Sequence, residues 1–189
     1  MRAAICLLVL LLAPDGAGDP FFKFPKETVW TYAMTGGDNG KDARMLMTVT
    51  GENDGAVSVS METRGGPGKS SKMEWFVADG LFFWAERRGE KLIDQIALHK
   101  PGSKKGDTWT VEGKEKSPKQ AGTNLGTESV QVAAGTYENA VHTRVEFLDA
   151  QTKMKIDVYL VEKVGVVKMT YSLDEPRMAF ELQEFKPGK

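Results

Sequence analysis

Apolar residues recur at every second position along most of the chain, and turn-forming residues interrupt them about every ten residues. In residues 29–34, for example, Trp30, Tyr32 and Met34 share one face of a predicted strand. Asp79-Gly80 is the sharpest two-residue hairpin signal. Beyond residue 18, no window of about eleven residues carries the i, i+3, i+4, i+7 stripe of an amphipathic helix. The pattern therefore predicts an all-β chain.

Strands that are short, polar on one face and joined by tight turns are typical of an antiparallel meander. We predict about eleven of them, and a meander of that size must curl or split into two layers. The predicted fold is a single strongly curved antiparallel meander, a half-barrel or barrel, with a two-layer β-sandwich as the alternative. Residues 100–122 carry many Lys, Gly and Pro residues, and we interpret them as a mobile excursion with one short apolar piece at residues 109–111.

The first residues have the three-part pattern of a secretory signal peptide. Met1-Arg2 is positive, residues 3–13 are apolar, and small residues precede a predicted cleavage between Gly18 and Asp19. The apolar run would cover only about 16 Å of a hydrocarbon core roughly 30 Å thick. We therefore predict a cleaved signal peptide at residues 1–18, one domain at residues 19–189, no transmembrane segment in the mature chain, and export to the periplasm or beyond.

Cys6 is the only cysteine and lies within the predicted signal peptide. The mature chain would then have no thiol and no disulfide, and no cysteine is placed to anchor it as a lipoprotein. A domain of this size can be stabilised by its core alone.

Composition narrows the function classes. The 189 residues include 25 Lys and Arg against 26 Asp and Glu, a net charge of −1, which argues against a nucleic-acid-binding surface. His99 and His142 are the only histidines, and no G-x-S-x-G or H-E-x-x-H pattern surrounds them, so we interpret both as solvent-exposed. Gly68-Lys69-Ser70 resembles the end of a phosphate-binding loop, but Thr63 stands where that motif needs its first glycine. A calcium loop that began at Asp38 would need Glu at its twelfth position, where the sequence has Val49.

We accordingly predict a protein that is not an enzyme and has no cofactor and no metal. A hydrolase that uses two surface carboxylates, as glycosidases do, is the alternative that the sequence does not exclude, because such a pair has no sequence signature.

Aromatic and methionine side chains are concentrated in the first half of the chain. They fill a core or, in part, line a cavity for an apolar ligand, to which adaptable Met side chains are suited. Phe82 and Trp84 lie on the opposite face of their strand from Leu81 and Phe83, so both faces of that strand need cover. The candidate ligand-binding residues are Trp30, Tyr32, Met47, Trp75 and Phe83.

Three stretches carry a resemblance. Residues 130–140 (VQVAAGTYENA) and 162–168 (EKVGVVK), with residues 29–32 (VWTY), are similar to a pattern in uncharacterised exported bacterial proteins of the DUF3108-like group. That resemblance implies kinship with the curved half-barrels of the LolA/LppX-like lipoprotein carriers. It implies a fold and a compartment but no catalytic residue. Ala140 stands where many relatives would carry Cys.

Two functions remain open. The first is a non-enzymatic exported binding module that holds a lipid-like ligand or a hydrophobic peptide on a concave sheet face. The alternative is an interaction or scaffold protein of the cell envelope, with a solid core, an envelope protein as partner, and function in loops such as residues 64–72 or 100–119.

Overall fold

A computed structural model describes residues 22–36, 43–53, 55–65, 70–113, 118–148, 154–172 and 178–189. The predicted signal peptide at residues 1–18, with Cys6, lies outside the described residues, as do Asp38 and Gly68. Within the described ranges the chain forms twelve strands and no helix, hence no helix that could cross a membrane. The strands are β1 (Val29–Thr35), β2 (Arg44–Asn53), β3 (Ala56–Arg64), β4 (Ser70–Ala78), β5 (Leu81–Arg88), β6 (Lys91–His99), β7 (Thr108–Val111), β8 (Gln120–Val132), β9 (Gly135–Phe147), β10 (Lys155–Val161), β11 (Gly165–Ser172) and β12 (Met178–Lys186).

All twelve strands belong to one antiparallel sheet, in the order β6-β5-β4-β3-β2-β1-β12-β11-β10-β9-β8-β7. Consecutive strands pair throughout except β6 and β7, which form the two edges, and β1 pairs with both β2 and β12. The sheet curls into a nearly closed barrel whose remaining gap lies between β6 and β7. The predicted all-β curved meander is confirmed, and of the two predicted architectures the chain adopts the barrel.

The alternation of apolar and polar residues determines which side chains point inward. Trp30, Tyr32 and Met34 of β1 are buried inside the barrel, and the residues between them are partly exposed. Trp30 lies opposite Met47 of β2, and Tyr32 lies opposite Leu182 of β12, so three neighbouring strands add apolar side chains to the same core.

The prediction for residues 100–122 was partly wrong. The apolar piece forms β7, as expected, but β8 begins at Gln120, inside the interval interpreted as an excursion. The early part of β8, residues 120–128, contains Gly, Thr and Asn residues and few apolar ones, so its alternation is weak. Its conformation depends on its neighbours, because it pairs with β7 on one side and with β9 on the other.

A glutamine side chain bridges the gap between the sheet edges, which we call the seam. The backbone N–H of Ala97 in β6 donates to Gln120 Oε1 at 3.0 Å, and Gln120 Nε2 donates to the backbone carbonyl of Gln95 at 2.6 Å. The buried carboxamide thus occupies the position that a peptide group of a neighbouring strand would take. It satisfies two backbone groups of β6 that the missing strand pairing leaves open.

An indole closes the same seam from outside. Trp109 of β7 packs with Leu81, Phe83 and Ala97 in a second apolar cluster, separate from the main core. The indole lies directly over Gly122, where a Cβ would clash with it, so this position of β8 requires glycine. The outer face of β5, whose apolar residues needed cover, is therefore covered by the chain's own β7.

We predict that Gln120→Ala lowers the free energy of unfolding by about 2–3 kcal/mol, because two backbone groups at the seam lose their partners. Urea denaturation of the variant and the wild type measures the difference. Gln131→Ala, an exposed position on the same strand, is the control and should change stability by less than about 0.5 kcal/mol. Equal effects at the two positions would contradict this role for Gln120.

Candidate functional site

The interior of the barrel is an apolar chamber packed around two small adjacent voids. Each void has room for about one water molecule. The first is bordered by Tyr32, Met45, Met47, Trp75, Trp84, Val166, Met169 and Phe180. The second is bordered by Phe22, Trp75, Phe82, Trp84, Leu98, Gly165 and Val166. Trp75, Trp84 and Val166 border both voids, so they lie between them.

The structure brings four of the five candidate residues together. Trp30, Tyr32, Met47 and Trp75 are all buried in the main core, and the Trp30 and Trp75 rings meet edge to face with centroids 5.0 Å apart. Phe83 is not among them. It lies on the outer face of β5, where its ring stacks on Phe76 with centroids 5.3 Å apart.

Trp30 and Tyr32 also donate hydrogen bonds to the β10–β11 turn and the start of β11, two strands away in the sheet. Trp30 Nε1 donates to the carbonyl of Val164 at 2.7 Å, and the Tyr32 hydroxyl donates to the carbonyl of Val166 at 2.8 Å. Burial raises the pKa of Tyr32 above its ordinary value, so the hydroxyl remains a neutral donor. These bonds join residues 29–32 to residues 162–168, two of the stretches that carry the resemblance. The two stretches therefore have a structural role in joining β1 to the β10–β11 hairpin.

Sequence reasoning missed two residues outside the strands that pack into the chamber. Phe22 and Phe24 precede β1, belong to no strand and are buried. Phe22 stacks on Phe82, and the Phe24 ring contacts Trp30 and Trp75 at centroid distances of 4.8 and 5.9 Å. We call residues 22–24 the entrance segment. The signal available in the sequence was the cluster of phenylalanines just after the predicted cleavage site.

A short anchor separates the entrance segment from the sheet. Glu27 N–H donates to the carbonyl of Val49 at 2.9 Å, and Val49 N–H donates to the carbonyl of Thr28 at 2.9 Å. Gly188 N–H donates to Thr28 Oγ1 at 3.0 Å, which ties the anchor to the end of the chain. These bonds lie downstream of Phe24, and Pro25 and Lys26 link them to the entrance segment.

Two polar groups of the chamber lack a partner. The indole N–H groups of Trp75 and Trp84 are buried and have no hydrogen-bond acceptor, although both side chains border the voids. An unpaired buried donor costs about 1–3 kcal/mol. The indole N–H of Trp109 is likewise unpaired, but that ring lies on the outer face.

The interpretation of the two histidines as solvent-exposed was wrong. His99 is 3% exposed and lies inside the barrel, with Nδ1 3.4 Å from Thr143 Oγ1 and its ring 6.4 Å from that of Phe22. Burial lowers the pKa of His99 to about 4, so the ring is neutral at physiological pH. The signal for burial was weak, because His99 lies at the end of its strand.

His142 lies on the outer face of β9, held between two carboxylates. Its Nδ1 is 2.6 Å from Glu128 and its Nε2 is 2.9 Å from Asp157, while Arg144 also contacts Asp157 at 2.8 Å. The hydrogen bonds from His142 and Arg144 hold the pKa of Asp157 below its ordinary value, against the opposing effect of burial. Because both ring nitrogens contact carboxylates, His142 has no free nitrogen for a metal ion. Within the described ranges, no three His, Cys, Asp or Glu side chains lie close enough together to hold a metal ion.

Comparison with known proteins shows the fold. No family model matches the chain, and no curated protein matches it. A candidate exported protein of Bacteroides fragilis with a YmcC-like fold superposes with a TM-score of 0.56 and 14% identity, over 88% of this chain and 98% of the other. A candidate lipoprotein of Parabacteroides distasonis has a TM-score of 0.49 and 12% identity, over 88% and 98% of the two chains. At 14% identity, the similarity to the Bacteroides fragilis protein shows a shared fold and nothing about function. The similarity to the Parabacteroides distasonis protein is too low to support a conclusion.

We predict that His99 makes the barrel acid-sensitive. The unfolded chain takes up the proton at the ordinary pKa near 6.5 and the folded chain only near 4, so the stability due to neutral His99 falls as pH falls between these values. The loss should be about 2 kcal/mol between about pH 7 and about pH 5. Urea denaturation at both pH values measures it.

His99→Gln should remove that part of the pH dependence, whereas His142→Gln on the outer face should keep it. A His99→Gln variant with the full wild-type pH dependence would show that another group is responsible.

Proposed function

We propose that the protein is an exported, non-enzymatic binding module that takes up an apolar, lipid-like ligand inside the barrel. The observation that carries the proposal is the entrance segment. Two phenylalanines outside the sheet pack into the apolar chamber that the twelve strands have built. A ligand chain can replace those two rings without the loss of any strand pairing.

The lining of the chamber suits such a ligand. Met45, Met47 and Met169 are unbranched and adapt to an irregular guest, and the indole faces offer broad apolar area. Glu74 is buried, but it alternates with Trp75 on β4 and pairs with Arg87 on β5, away from the chamber. The described side chains that line the two voids are therefore uncharged.

The energies allow exchange between the entrance segment and a ligand. Burial of one Phe side chain stabilises by about 1.5–3 kcal/mol, and each buried methylene by about 0.8 kcal/mol. About four to eight methylenes therefore offset the release of both phenylalanines. An acyl chain longer than this should displace the entrance segment.

Export is part of the proposal. The first eighteen residues have the pattern of a signal peptide, and the chain shares its fold with a candidate exported protein of Bacteroides fragilis. The resemblance of residues 29–32, 130–140 and 162–168 to the DUF3108-like group implies the same compartment.

Removal of the two rings tests the proposal. The mature protein should bind one equivalent of the neutral fluorescent probe N-phenyl-1-naphthylamine, and the Phe22→Ala/Phe24→Ala variant should bind it at least about tenfold more tightly, because no internal competitor remains. Fluorescence titration measures both affinities.

Phe83→Ala is the matched control, since Phe83 is as buried as Phe22 but lies on the outer face. It should leave probe affinity within about twofold of wild type, a change of less than about 0.5 kcal/mol. Tighter binding in the control, or no gain in the double variant, would contradict entry at the entrance segment.

One observation favours the alternative of an envelope interaction or scaffold protein. The chamber is densely packed, and its two voids hold about one water molecule each. If neither the mature protein nor the double variant binds the probe, the interior is a solid core and the function lies on the surface.

A further inference from the structure

We propose that the buried part of the ligand is uncharged and carries a carbonyl-type acceptor, as in an ester, which accepts hydrogen bonds from Trp75 Nε1 and Trp84 Nε1. This inference rests on the proposed function, because it specifies what the chamber takes up.

The two donors are placed to act together. Trp75 of β4 and Trp84 of β5 are directly opposite residues in the antiparallel register, so their side chains leave the same inner face of the sheet. Side chains at such positions start about 5 Å apart. Both indoles are more than nine-tenths buried, at 4% and 8% exposure, and both N–H groups are unpaired.

The described walls of the chamber satisfy other donors but not these. Trp30 Nε1 donates to Val164 and the Tyr32 hydroxyl donates to Val166, so two neighbouring inward-facing donors have backbone acceptors. Native proteins pair the large majority of buried polar atoms, so two adjacent exceptions beside a void indicate an acceptor that arrives from outside the fold. Trp75 and Trp84 border both voids, so a ligand that takes the place of the entrance segment and extends into the voids lies beside both indoles.

The same walls argue against a charged group. A carboxylate buried without a cation is far more costly than a neutral carbonyl. No Lys or Arg of the described ranges is buried, and Glu74 belongs to an outer ion pair. Burial lowers the pKa of His99, so it supplies no positive charge near neutral pH. A neutral acceptor within an apolar chain satisfies the two donors without adding a charge.

Three probes of matched length test the inference in the mature protein: methyl decanoate, undecane and decanoate. Each is titrated against bound N-phenyl-1-naphthylamine near neutral pH. In the Trp75→Phe/Trp84→Phe variant, methyl decanoate should bind about tenfold more weakly than in wild type, the size expected for two neutral hydrogen bonds, and undecane should bind equally well in both. Decanoate should bind wild type at least about tenfold more weakly than its ester.

Trp109→Phe is the matched control, since it removes a third unpaired indole N–H from the outer face. It should change no affinity. Indole N–H resonances in ¹⁵N-labelled protein give an independent readout: methyl decanoate should move those of Trp75 and Trp84 downfield and leave those of Trp30 and Trp109 in place, and undecane should move none downfield.

The outcomes separate the two proposals. If ester and alkane both displace the probe but the double variant weakens both equally, or if the Trp75 and Trp84 resonances do not move downfield, the acceptor inference fails and the binding module stands. Tighter binding of decanoate than of methyl decanoate would overturn the inference that the buried part of the ligand is uncharged. If none of the probes binds any variant, the proposed function itself fails.

Discussion

Closure of the sheet is the constraint on which the rest of the structure depends, because an open meander leaves two edges of unpaired backbone groups. The pairing of β1 with β12 joins the two ends of the meander and leaves the seam as the remaining gap. There Gln120 supplies a carboxamide in place of a strand, and Trp109 covers the outside. Because the seam is closed by side chains, the barrel gains an enclosed apolar interior without a thirteenth strand.

An enclosed interior of twelve strands is wide, and the chain fills it in two ways. Large inward side chains such as Trp30 and Trp75 meet at the centre, and the entrance segment adds two phenylalanines from outside the sheet. Only the second contribution lies outside the strands, and in the proposed function it is the part that a ligand replaces. We propose that this difference between the side chains of the strands and those of the entrance segment allows uptake of an apolar ligand, to which the unpaired indoles add a polar requirement.

Much of the fold and part of the chamber lining could be predicted from the sequence. Alternation correctly placed Trp30, Tyr32 and Trp75 on inner faces, because period two is a local property of each strand. Alternation placed Phe83 on the other face of β5 from Phe82 and Trp84. Because β5 is apolar on both faces, alternation could not show which of them points into the barrel. The polar start of β8 and the burial of His99 were missed, since both depend on neighbours distant in sequence. Phe22 and Phe24 were missed because they precede β1 and belong to no strand.

Native mass spectrometry of the mature protein, purified from the compartment to which its host exports it, tests the central claim most directly. The account predicts extra mass that is lost on denaturation and that analyses as an uncharged, ester-bearing lipid or a similar apolar molecule. A bare mass under gentle ionisation, with no adduct after incubation with methyl decanoate, would contradict it and leave the barrel as a solid scaffold.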